Sequence, residues 1–172
     1  METTKSYENF PPGIILFSNF VSLSIYGLGF YIMLQINLAF SLLYLGYLIY
    51  LEYRLISKHC INCYYWGKLC GFGKGKLSSL FFKRGESSEF CSKKLTWKDM
   101  IPDLLVTLIP FVTGIILIVI KFDLIILSAV ILIVALTTTG NSYVRGKLTC
   151  LHCKQRELGC MAEKLFKKKE ER

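Results

Sequence analysis

The sequence predicts an all-α integral membrane protein. Four transmembrane helices form two tandem helical hairpins, each followed by a cytoplasmic cysteine-triplet motif, in a parallel internal duplication. Three observations predict it. Hydrophobic residues make up 53% of the 172, with a mean hydropathy of +0.45, more apolar side chain than a water-facing surface tolerates. They gather in two blocks: residues 13–51 carry no charge, and residues 104–143 carry only Lys121 and Asp123. Each block is about twice the ~20 residues that cross a bilayer as a helix. Finally, cysteines recur with the spacing C-x2-C-x6-C at 60, 63, 70 and again at 150, 153, 160.

Taken in order, residues 1–12 (METTKSYENFPP) are polar and of mixed charge, and the apolar run behind them exceeds the roughly 7–15 residues of a signal-peptide core. The first helix is therefore expected to be retained behind a short N-terminal segment. Residues 13–76 form the first repeat, with spans near 13–33 and 36–54 and the first triplet. Residues 77–101 form an interfacial linker, in which "LSSLFFK" and Trp97 read as segments lying at the membrane surface. Glycines 71, 73 and 75 read as a flexible turn, since no G-x4-G-K-[ST] phosphate loop is present. Residues 102–166 form the second repeat, with spans near 103–120 and 124–143, and residues 167–172 a charged tail. Pro12 and Pro102 stand at or just before the hairpins, where proline suits a first helical turn. The turns at Gln35–Asn37 and Lys121–Asp123 fall between spans, the second because charge at mid-membrane is costly.

Lys and Arg set the orientation. Residues 52–101 hold ten of the 21 basic residues and residues 144–172 hold nine, leaving Lys5 and Lys121. Positive charge stays on the cytoplasmic side, so both termini and both cysteine motifs are expected at the cytoplasmic face of the cell membrane. The formal charge of +9 is then explained by topology and by anionic lipid heads as partners, without nucleic acid.

Displaced by ninety residues and without a gap, the sequence lays Pro12 on Pro102, Tyr53 on Tyr143, all three cysteines on their counterparts and Lys74 on Lys164, while the side chains inside the spans do not match well, as expected where any apolar residue serves. Copies that each cross twice share one orientation, about an axis along the membrane normal.

No cysteine lies in an expected span, and the cytoplasm keeps thiols reduced, so metal use is favoured over disulfides. A C-x2-C pair suits a tetrahedral ion such as zinc. Three thiols leave one zinc a ligand short, whereas six serve two ions if two of them bridge. The doubled motif is similar to the binuclear zinc cluster of fungal Zn2Cys6 transcription factors, in which the first cysteine of each half bridges both metals. The resemblance implies Cys60 and Cys150 as bridges. Cys63 and Cys70 would complete one zinc and Cys153 and Cys160 the other, with the pairing left open. It covers two eleven-residue segments, and 79 residues separate Cys70 from Cys150 where the family has a short linker. The metal geometry carries over; the DNA binding does not. Lys58, Lys68, Lys154 and Arg156 stand near enough in sequence to offset the cluster's negative charge.

Other readings stay open. Each triplet could hold its own zinc, with Cys91, His152 or His59 as a fourth ligand, or the thiols could hold an iron–sulfur cluster. Thioredoxin-type redox chemistry lacks its βαβ context. The stripe Tyr44, Tyr47, Tyr50, Tyr53 reads as helix packing and interfacial anchoring, with a lipid or quinone groove as the sharper alternative. Glu52, Asp99 and Asp103 sit at span ends and read as capping groups. The expected function is that of a small zinc–thiolate membrane protein without catalytic residues. It would serve as an accessory subunit or cytoplasmic-face platform for a protein partner. The alternative is iron–sulfur electron transfer. A transporter is disfavoured by the lack of charge within the spans.

Overall fold

A computed structural model describes residues 6–86, 90, 96–158 and 160; Cys91, Lys164 and the charged tail lie outside the described residues. The regular elements among the described residues are helices: α1 (Pro12–Leu34), α2 (Leu38–Lys58), α3 (Lys74–Phe81), α4 (Trp97–Ile120), α5 (Leu124–Ala135) and α6 (Lys154–Glu157). Beyond α5 the helix continues as a π-helix over Leu136–Gly140, an α-turn over Asn141–Tyr143 and a second π-helix over Val144–Thr149. Four stretches are long and apolar enough to cross a membrane: Pro12–Leu34, Leu38–Asn62, Lys98–Ile120 and Leu124–His152. That is the pattern of a multi-pass membrane protein. Large apolar side chains stand on their outer surfaces, Val119 at 81% and Ile120 at 76% exposure, as lipid-facing positions require.

Both expected inter-span turns form. Asn37 Oδ1 accepts the Ala39 N–H at 3.1 Å, and Asp123 Oδ1 accepts the Ile125 N–H at 2.7 Å, so each turn caps the helix beyond it. Those helices start at Leu38 and Leu124, 86 positions apart, whereas the cysteines are ninety apart. The four-residue difference is about one α-helical turn.

Contacts divide the chain into two compact units, Asn19–Glu52 with Trp97–Tyr143, and Met1–Ser18 with Tyr53–Thr96 and Val144–Arg172. In the first, which holds most of the spans, Tyr44, Leu48 and Leu51 of α2 pack with Met33 of α1 and Val106 of α4. Ile32 of α1 packs with Ile126, Ala129 and Val130 of α5. Proline shapes this bundle. Pro110 sits inside α4 and lacks the N–H that would bond the Val106 carbonyl. The Tyr44 hydroxyl donates to that carbonyl instead, at 2.8 Å. Tyr47 donates to the Pro102 carbonyl at 2.7 Å, and Tyr26 to Glu52 at 2.8 Å. In lipid, where water supplies no partner, these bonds matter. Gly29 makes room for the first: a Cβ there would lie 2.4 Å from the Tyr44 hydroxyl oxygen. Half of the tyrosine stripe is thus packing, while Tyr50 and Tyr53 face outward.

Candidate metal centre

The other unit contains all six motif cysteines. Each C-x2-C pair forms the same local turn. At the first, α2 ends, His59 takes φ −111°, ψ −46°, and residues Cys60–Asn62 make a 3-10 turn in which Cys63 N–H donates to the Cys60 carbonyl at 3.3 Å. At the second, Thr149 takes φ −109°, ψ −60°, residues Cys150–His152 make a 3-10 turn, and Cys153 N–H donates to the Cys150 carbonyl at 3.3 Å. The second cysteine then leaves in extended backbone, φ −82° at Cys63 and −83° at Cys153. Its carbonyl accepts again three residues on, from Trp66 at 3.1 Å and from Arg156 at 3.0 Å. Extended backbone at the second cysteine turns the next N–H groups toward its sulfur. Those of Tyr65 and Tyr64 act on Cys63, and those of Gln155 and Arg156 on Cys153.

The third cysteine of the first motif is held differently. Its carbonyl accepts the Gly73 N–H at 2.8 Å, and its sulfur accepts the Gly75 N–H at 3.4 Å in the first turn of α3. Gly73, the cap of α3, has φ +71°, which a glycine adopts without strain. Gly75 is required by space: a Cβ there would sit 2.1 Å from the Tyr65 carbonyl oxygen. The glycine run is therefore a built turn that aims a helix start at Cys70.

The two motifs touch directly. Tyr65, only 1% exposed, donates its hydroxyl to the Tyr7 carbonyl at 2.6 Å and accepts the Lys154 N–H at 2.9 Å. The Gln155 side chain accepts the Tyr64 N–H at 2.7 Å. Gly71 lies against Thr149, whose Cγ2 would be 2.6 Å from an added Cβ. The segment Tyr7–Phe10 runs beside both motifs, with a single isolated bridge between Tyr7 and Cys153. Tyr7 N–H donates to the His152 carbonyl and Phe10 N–H to the Leu69 carbonyl, each at 2.9 Å, and the Asn9 side chain accepts the Leu69 N–H at 3.1 Å. Glu8 receives Lys68 at 3.0 Å, and also Lys154 and the Tyr64 hydroxyl. Lys68 and Lys154, expected to offset thiolate charge, thus face a carboxylate as well.

No two described cysteines are joined by a disulfide. Burial pushes the Cys63 thiol up to about 11, with Cys70 and Cys160 adding to the shift and the Tyr65 and Tyr64 N–H groups opposing it. Burial likewise pushes Cys153 up to about 12, with Cys63 and Cys150 adding and the Gln155 and Arg156 N–H groups opposing. Tyr65, between them, is raised to about 12, again mainly by burial. Five of the six thiols are therefore close enough to influence one another across the two motifs: Cys63 with Cys70, Cys160 and Cys153, and Cys153 with Cys150. They are not closed around a point: among the described residues, no three His, Cys, Asp or Glu side chains are arranged to hold a metal ion. The donor chemistry nevertheless suits a thiophilic cation. Five of the six cysteines are partly buried and Cys150 is exposed, and backbone N–H groups at Cys63, Cys70 and Cys153 partly offset the cost that burial puts on thiolate.

Of the histidines, His152 lies against the Tyr7 ring, centroids 4.9 Å apart, and His59 N–H closes the last turn of α2 on Leu55 at 3.0 Å. Sequence reasoning missed Tyr65, Gln155 and the Tyr7–Phe10 segment. The "YYW" between Cys63 and Cys70, and a lone Phe10 in a polar leader, were the available signals. No family model matches this chain, and no curated protein or solved structure matches it significantly.

Proposed function

We propose that Cys60, Cys63, Cys70, Cys150, Cys153 and Cys160 hold zinc, two ions in a shared thiolate cluster, and that the chain is a structural or accessory membrane protein. The cysteine unit would stand at the cytoplasmic face as a platform for a protein partner. The observation that carries this reading is the pairing of two alike C-x2-C turns, joined through Tyr65 and Gln155. Neither motif alone supplies four thiols; side by side they supply six. The parallel duplication gains support from the shared turn geometry, and the orientation from the placement of Lys and Arg. Lipid gives helices no hydrophobic reason to associate, so a crosslink outside it is useful. A structural zinc contributes ~10 kcal/mol or more to such an assembly.

Metal analysis of the purified full chain, with a visible spectrum, tests this. Two zincs per chain and no visible absorption are expected, with both ions lost in Cys60→Ser and in Cys150→Ser. One ion retained in either variant would overturn the shared cluster in favour of separate sites. A brown protein containing iron would instead establish the electron-transfer alternative.

A further inference from the structure

The short helix α3 has its amphipathicity reversed with respect to a water-facing helix. Its inner face is made of small residues: Gly75 lies on the Tyr65 carbonyl, and Ser78 is fully buried with its hydroxyl on the Ile56 carbonyl at 3.3 Å. Its outward face carries Leu77, Leu80 and Phe81, spaced i, i+3, i+4, with Leu80 and Phe81 each 72% exposed. Exposed Lys76, Lys83 and Arg84 flank that face, and no carboxylate occurs between Lys74 and Gly85. A pocket of about 390 Å³ opens beside it, lined by Trp66, Ser79, Phe82, Lys83 and Arg84 among others.

Its position matters as much as its composition. The bond to Ile56 and the edge-to-face contact of Phe82 with Tyr53, centroids 5.8 Å apart, seat α3 against the end of α2. There the charge-free run of the span gives way to Glu52, Arg54 and Lys58, the level at which a helix leaves the hydrocarbon. We propose that α3 lies in the plane of the membrane surface and docks on anionic phospholipid. Leu77, Leu80 and Phe81 enter the upper acyl region, while Lys83 and Arg84 face a headgroup phosphate at the pocket beside Trp66. Apolar insertion together with cation–phosphate attraction is what holds interfacial helices. An acidic protein would match the cations but not the three large apolar side chains between them. This proposal is independent of any metal.

The test uses the full chain in phosphatidylcholine vesicles with and without phosphatidylserine. A Leu80→Trp reporter is placed in a Trp66→Phe/Trp97→Phe background, with helicity checked by circular dichroism. Lipid brominated high on the acyl chain is expected to quench the reporter severalfold more than deeply brominated lipid. Phosphatidylserine should raise that quenching, and Lys76→Gln/Lys83→Gln/Arg84→Gln should abolish the increase. On the unsubstituted chain, amide exchange over residues 77–82 should slow when phosphatidylserine is added. A reporter untouched by brominated lipid, as on a face turned to water or to a second protein, overturns the proposal. So does quenching or exchange indifferent to phosphatidylserine.

Discussion

From the inter-span turn to the first cysteine of the motif that follows, Asn37 and Cys60 are 23 positions apart, whereas Asp123 and Cys150 are 27 apart. The first path is plain α-helix to Lys58; the second passes through two π-helical stretches, Leu136–Gly140 and Val144–Thr149. A π-turn closes its hydrogen bond over one residue more than an α-turn, so it takes up chain without rotating the downstream segment out of register. Both paths nevertheless deliver the same 3-10 turn with the same hydrogen bonds. The turn is a property of the local C-x2-C stretch and its neighbours, while the approach is free to vary as long as the two turns still meet.

The largest expected effect comes from breaking that difference. Deleting Ile49 from α2 rotates everything beyond it by about 100° relative to the helix before it. The first turn then misses Gln155 and Lys154, and all native thiols should react with maleimide as quickly as in denaturant. Deleting Thr138 from the π-helix instead converts a π-turn to an α-turn, and thiol reactivity should stay close to that of the unaltered chain. Equal behaviour of the two deletions would show that the π-helices are not where the second path stores its slack.

Next in size is Tyr65→Phe, which strands the Tyr7 carbonyl and the Lys154 N–H where the two motifs meet. A buried group left without a partner costs about 1–3 kcal/mol. A lower melting temperature in detergent and faster labelling of thiols in both motifs are expected; labelling confined to one motif would deny Tyr65 its bridging role. Within the bundle, Tyr44→Phe should cost about 1 kcal/mol, the scale of a hydrogen bond between membrane helices. Added Pro110→Ala should recover most of that, because the helix then bonds the Val106 carbonyl itself. Failure of the second change to rescue the first would separate the tyrosine from the proline. The smallest effect belongs to Glu8→Gln. Its partners Lys68 and Lys154 and the carboxylate are all partly exposed, so the loss should stay below about 1 kcal/mol and fade in high salt.

The spans were legible because lipid tolerates so few charges that an uncharged run of 39 residues, 13–51, can hardly be anything else. The inter-span turn at Lys121–Asp123 was legible for the same reason, from its charges, and that at Gln35–Asn37 from a run twice the length of one span. The cysteine spacing pointed to a pair of sulfurs suited to a metal at each motif, but the 3-10 turn that both C-x2-C stretches adopt was not read from it. The contacts that join the turns were not legible. Tyr7 and Phe10 bond through backbone N–H and C=O groups that nearly every residue has, so apart from the lone apolar Phe10 their sequence carries little trace of the task. The π-helices were hidden too. The ninety-residue register is kept by Pro12 and Pro102 and by the cysteines, and nothing in the apolar stretches between marks a turn displaced by four positions. The role of Tyr44 depended on Pro110, sixty-six positions away and on another helix.

The segment Tyr7–Phe10 sets an order of events on the ribosome. Glu8 and its partner Lys154 are 146 positions apart, and Tyr7 waits likewise for His152. At about 5–20 residues per second, roughly 7–30 s pass between the synthesis of the two ends of that contact. All four apolar helices are made in that interval. Until then the first motif lacks the Lys154 and Gln155 contacts that join it to the second. The contacts that join the two cysteine motifs can therefore form only after all four apolar helices have been synthesised.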